Sequence, residues 1–251
     1  MIGSMSRYST YSDDYYVNVN LNTEMDLPSS RETLLHYFEQ IQKQYPTMRN
    51  FYNRERSEYV LEEDKERGHY RWATVEPRRL CAGHVNPENV EQALEMHEGI
   101  MRLIPYALSV NTLDCESLNV MLGFDFTYRG NHNQLLAETL GLTPAFERFS
   151  ELPGAKIVAF EPSIQLSLDS DCRIQCRLSI ETRTTAYHVR MGEYPEEQLS
   201  VYLTARRFGS FDPGEELATV VQRLGKLCCE VADEHLVDHI LRPLQQAIAL
   251  R

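Results

Sequence analysis

Alternation of apolar with polar or small side chains recurs at three places, and it constrains the fold more than any other feature of the sequence. Leu118, Val120, Leu122, Phe124, Phe126 and Tyr128 alternate with smaller or polar residues. Cys172, Ile174, Cys176, Leu178 and Ile180 face one way, and Arg173, Gln175, Arg177, Ser179 and Glu181 the other. Tyr15, Val17, Val19 and Leu21 interleave with Tyr16, Asn18 and Asn20 in the same manner. A period of two places each apolar set on one side of a strand, so these strands build a sheet with one buried and one polar face.

Helical spacing separates the strands. Ser29 with Glu32 forms a capping box before Leu34, Leu35, Phe38, Ile41 and Tyr45, and Pro46 closes that helix. Asn86 with Pro87 opens a second helix, whose stripe is Val90, Ala93, Leu94, His97, Met101 and Ile104. Asn131 and Gln134 open a third before Leu135, Leu136 and Leu140, and a short helix starts at Thr143-Pro144. Asp212, Pro213 and Glu215 launch the last, with Leu217, Val221, Leu224, Cys228 and Val231 on its face and a kink or break expected at Pro243. Further strands fall at Tyr59–Glu62, Tyr70–Val75, Arg79–Val85, Ile157–Leu168 and Leu199–Ala205.

Strands that follow one another directly pair antiparallel, which predicts an α+β fold with helices packed on one face of a mainly antiparallel sheet. Both halves read strand, helix, two or three strands, helix, with Val17–Phe38 and Val120–Leu140 as corresponding units. The expectation is therefore a pseudo-duplicated chain: a flexible arm over 1–14, one α+β half over 15–110, and a second over 111–251 sharing the same core. In architecture alone this order resembles the duplicated β-α-β-β small-molecule-binding folds and the TATA-binding-protein-like folds. No motif selects either, and fold does not fix function.

The formal charge of −12 is shared between the halves, with 12 basic and 17 acidic residues up to position 110 and 13 and 20 after it. No basic lobe is present, which argues against nucleic acid as the partner. No apolar run approaches the roughly 18 residues of a membrane span. The six cysteines, without a recognisable secretory signal, fit a reducing cytoplasm.

Among the motifs, His235-Leu236-Val237-Asp238-His239 places two histidines on one helix face and resembles the inverted zinc-protease pattern, with Asp238 where Glu belongs. That family takes a further ligand from a downstream Glu, and no Asp or Glu follows Asp238. Cys172 and Cys176 lie roughly 13 Å apart along one strand and can neither share an ion nor bond to each other. No nucleophile elbow, phosphate loop, dinucleotide fingerprint or calcium loop occurs, so no cofactor is expected and the enzyme reading lacks a motif.

The polar strand faces are the remaining candidate. If they line a concavity, an Arg177–Asp125 pair beside Tyr202 orients a small polar ligand, with Trp72 as a platform; if they face water, they are a solvated surface and Trp72 packs in the core. His132, at a helix start, either joins exposed amides in holding an anion or serves the cap. Three functions follow: a non-enzymatic binding or protein-interaction protein, with a homodimer through a strand edge or the last helix as one form; a small-molecule-binding domain around Asp125 and Arg177; and a metal-dependent hydrolase using His235 and His239.

Overall fold

The computed structural model describes residues 8–54, 57–212 and 214–251. Its centre is the antiparallel pair formed by β1 (Asp14–Thr23) and β6 (Cys115–Arg129), in register from Asp14 opposite Asp125 to Asn22 opposite Ser117. Outward from β1 come β5 (Arg79–Val85), β4 (Tyr70–Glu76), β3 (Glu58–Glu62) and β2 (Asn50–Arg54). Outward from β6 come β9 (Glu196–Phe208), β8 (Ile174–Glu181) and β7 (Ser163–Ser167), giving one open nine-stranded antiparallel sheet. Sequence alternation decides which residues of these strands face the helices. Val17, Val19, Leu21, Leu118, Val120, Leu122, Val201 and Leu203 are all buried on that side.

The helix layer consists mainly of α1 (Arg31–Gln44), α2 (Val90–Ala107) and α6 (Leu217–Val231), with α2 against β1 and β5 and α6 against β6 and β9. Gly225 lets α2 and α6 approach, because a Cβ there would lie 2.6 Å from a Leu94 methyl. On α6, Cys228 is fully buried and donates its thiol to the Val120 carbonyl at 3.3 Å. Cys81, Cys115, Cys172, Cys176 and Cys228 form no disulfide. Among the described residues no helix is long and apolar enough to cross a membrane.

Several expected boundaries move for identifiable reasons. Ser30, not Ser29, caps α1, taking the Thr33 amide at 3.2 Å. Asn89, not Asn86, caps α2; Asn86 has φ of 48° and accepts the Tyr15 amide at 3.0 Å instead. Residues 157–162, expected to start a strand, stay outside the sheet because two asparagines hold their backbone. Asn131 donates to the Ile157 carbonyl at 3.0 Å, and Asn133 takes the Phe160 amide at 2.7 Å and donates to the Val158 carbonyl at 3.3 Å. β2 and the short helix α5 (Ala186–Met191) have no counterpart in the sequence expectation.

The last helix starts at Leu217, after a Glu216 cap that makes no side-chain bond; Pro213, expected to launch it, lies outside the described residues. It winds more widely over Ala232–Leu241 and then continues as α7 (Arg242–Ala249). The break expected at Pro243 thus becomes a change of ladder register, with Arg242 N–H bonding five residues back to Val237. Pro243 sits in the first turn of α7, where a missing N–H costs little.

Of the arm expected over 1–14, positions 1–7 lie outside the described residues, and Ser9, Thr10 and Asp13 are exposed. Tyr8 is fully buried, donates to Asp233 Oδ1 at 2.9 Å, and meets Phe124 edge-on at 5.8 Å between ring centres.

Candidate functional site

The face turned away from the helices carries the polar members of every alternating strand. Register decides which of them meet. Asn50, Glu62, Trp72, Gly83, Asn18, Met121, Thr204, Arg177 and Gln165 stand side by side across the nine strands. Flanking rows place Tyr16 beside Gly123, Tyr202 and Ser179, and Asn20 beside Asn119, Arg206 and Gln175. A cleft of about 420 Å³ opens over the β1, β6, β9, β8 and β7 part of this face, with Tyr16, Asn18, Tyr202, Thr204, Arg177 and Arg206 in its lining.

Two glycines shape this face. A Cβ on Gly123 would lie 2.2 Å from the Tyr16 ring, so that ring lies over bare backbone. A Cβ on Gly83 would lie 2.4 Å from the Trp72 indole and 2.3 Å from Asn18 Oδ1. Aromatic cover of a glycine restores apolar contact that the strand otherwise lacks. Trp72 is therefore half-buried on the open face of β4, neither in the helix-side core nor in the lining of the cleft. Asn18 Oδ1 is buried without a hydrogen-bond partner among the described residues.

The expected Arg177–Asp125 pair does not form. Asp125 stands opposite Ser200 and Arg177 opposite Thr204, four residues along β9 and on either side of it. That is about 13 Å along the strands and two strand spacings across. Asp125 instead accepts a hydrogen bond from the Tyr16 hydroxyl at 3.4 Å. Burial, with the opposing Asp14 carboxylate, pushes Asp125 up against the hydrogen bonds from Ser200 and Tyr16. Burial and then the Asp125 charge push the Tyr16 phenol far above its ordinary value, so it acts as a donor. Tyr202 faces both Tyr16 and Arg183, and Arg183 pairs with Glu181 at 3.5 Å.

Arg206 enters the site although the strand expected at Leu199–Ala205 ends one residue short of it; β9 continues to Phe208, and the same alternation reaches Arg206. Its Nε donates to Asn119 Oδ1 at 2.6 Å, and its guanidinium lies 4.9 Å from the Phe208 ring centre. Burial and then the neighbouring Arg177 charge lower its pKa.

The other candidates have structural roles. His132 is buried, with Nε2 3.2 Å from the Tyr128 carbonyl and Nδ1 accepting the Arg183 amide at 3.4 Å. The amides of α3 (His132–Leu140) are taken internally: that of His132 by Thr184, and those of Asn133 and Gln134 by Asn131. No amide of that turn is left to hold an anion. His235 and His239 are exposed on the wide helical stretch, and Asp238 pairs with Arg242 at 2.8 Å. Among the described residues no group of three or more His, Cys, Asp or Glu side chains is placed to hold a metal ion.

No family model, curated protein or solved structure matches the chain.

Proposed function

We propose that the protein is a non-catalytic binding protein that takes a small polar molecule in the cleft on the open sheet face. The observation that carries this reading is the convergence there of Tyr16, Asn18, Tyr202, Thr204, Arg177 and Arg206, uncovered by any helix. Aromatic rings, amides and guanidinium groups around a concavity are the lining that orients a polar ligand. An overall charge of −12 counts against an extended phosphate backbone as the occupant. Cys81, Cys115, Cys172, Cys176 and Cys228, which form no disulfide, favour a reducing compartment such as the cytoplasm as its location.

The strand order supports the internal duplication as part of the same proposal. β1 leads outward to β5, β4 and β3, and β6 leads outward to β9, β8 and β7. One half would then have kept an open cleft where the other has Trp72 over Gly83. A second reading, a homodimer through the sheet edge, draws on β7. It is an edge strand whose Ile164 and Leu166 are half-exposed on the helix side.

The cleft is tested by filling it. A library of small polar metabolites is screened by thermal shift against the wild type and Thr204→Trp. Compounds bound in the cleft raise the wild-type melting temperature and leave the filled variant unmoved. If every stabilising compound acts equally on both, the cleft is not the binding site. Light scattering of Leu166→Glu beside wild type tests the dimer; equal masses for the two remove it.

A further inference from the structure

Within that cleft we infer a specific ligand chemistry: an oxyanion, carboxylate or phosphate, held between the guanidinium groups of Arg177 and Arg206. The inference rests on the cleft being a binding site, and deepens it by naming the group that is recognised.

Register brings the two arginines together. Arg177 stands opposite Thr204 and Arg206 opposite Gln175, so they are diagonal neighbours on β8 and β9, with backbones roughly 7–8 Å apart. Long side chains at that separation reach one small anion. Both are tethered by the same atom. Arg206 Nε donates to Asn119 Oδ1 at 2.6 Å, and Arg177 Nε to Ser163 Oγ at 3.4 Å. Neither set of Nη groups makes a hydrogen bond or an ion pair among the described residues, whereas Arg79 and Arg183 on the same face are paired with Glu76 and Glu181. A guanidinium fixed at Nε presents its free nitrogens as a fork, the geometry that takes carboxylate or phosphate in two parallel hydrogen bonds.

Electrostatics points the same way. Arg206 is half-buried, and its ordinary charged state is opposed by burial and by the adjacent Arg177. Two neighbouring cations on a partly desolvated floor repel each other until an anion sits between them. Gln165, Gln175, Thr204 and Met121 are the neutral lining beside them; Glu181 in the same lining is paired with Arg183, and the Glu116 charge partly offsets the repulsion at Arg206. Tyr16 and Tyr202, one row along, provide ring surface and hydroxyls for the body of the ligand.

The test uses inorganic phosphate, glucose, glucuronate and glucose 6-phosphate at constant ionic strength, read by heteronuclear NMR of the whole chain. Phosphate is expected to shift the arginine Nε–H signals of the cleft with a dissociation constant on the order of millimolar. Glucuronate or glucose 6-phosphate should bind at least about tenfold more tightly than glucose, and the tighter of the two identifies carboxylate or phosphate. Arg177→Gln and Arg206→Gln should each weaken that binding about tenfold. Arg148→Gln, on an exposed helix elsewhere, should not. Arg177 is exposed at the rim, so its variant keeps the test decisive if the half-buried Arg206 proves necessary for folding.

Glucose binding as tightly as its charged relatives would overturn the oxyanion while leaving the cleft reading intact. Phosphate binding that survives both substitutions, or no shift at Arg177 or Arg206 with any probe, overturns the inference. The cleft itself then stands or falls by the Thr204→Trp comparison.

Discussion

Two buried histidines should make this fold acid-sensitive by an amount that can be worked from their surroundings. His97 on α2 is wholly buried; its Nε2 meets the Val17 carbonyl at 2.9 Å, and its Nδ1 has no hydrogen-bond partner among the described residues. Burial lowers its pKa from 6.5 to about 4, against the Val17 hydrogen bond. His84, opposite Val17 across β1 and β5, is likewise lowered to about 4, by burial and then by Arg71. Between pH 4 and 6.5 the unfolded chain therefore binds more protons than the folded one. Stability is full above the unfolded value near 6.5 and is lost as the pH falls toward 4. For His97 alone that loss is about 2 kcal/mol between pH 7.5 and 5.0.

The perturbation is His97→Gln, which keeps a donor toward Val17 and removes the titration. Urea unfolding of wild type and variant at the two pH values yields four free energies. Carboxylates titrate in both proteins and cancel in the double difference. The wild type should lose about 2 kcal/mol more than the variant on acidification, whatever the variant costs at pH 7.5. Equal losses in the two proteins would refute the reasoning, because they would mean that His97 accepts a proton in the folded state at little cost.

Other perturbations address packing. Gly83→Ala should push the indole of Trp72, the single tryptophan, off the sheet, red-shifting its fluorescence and costing about 1–3 kcal/mol in chemical denaturation. Unchanged emission would mean the ring does not rest on Gly83. Tyr8→Ala should cost about 3–5 kcal/mol, the magnitude of emptying a buried aromatic site; a change below about 1 kcal/mol would restore the flexible arm. Glu215→Ala leaves the buried Arg207 guanidinium without its nearest carboxylate, 3.8 Å away, and should cost about 2–4 kcal/mol, with smaller loss for Arg223→Ala at the exposed side of the same cluster. Equal costs for the two would contradict a buried role for the pair.

The sequence by itself determined the class and the faces. The alternation of Val17, Val19 and Leu21, and of Leu118 through Phe126, assigned the helix-side core side chain by side chain, because a strand's period of two is a property of the backbone and needs no partner. The polar character of the opposite face followed from the same period. Trp72 was expected either as a ligand platform or in the core, although it shares its phase with Thr74 and Glu76 and not with Ala73 and Val75, which puts it on the open face. Hydrogen-bonding asparagines were harder to read. Asn131 and Asn133 look like cap residues, and only the fold shows that they also hold 157–160 out of the sheet.

Tertiary structure alone decided who meets whom on the open face. Period fixes the direction in which a side chain points and says nothing of how far one strand slides along the next. The slide that puts Asp125 opposite Ser200 and Arg177 opposite Thr204 separates the expected pair and sets Arg177 beside Arg206 instead. The same pairing opens the cleft between them. Register is settled by the summed burial and hydrogen bonding of whole strands far apart in the chain, so no local pattern around residue 125, 177 or 206 could record it.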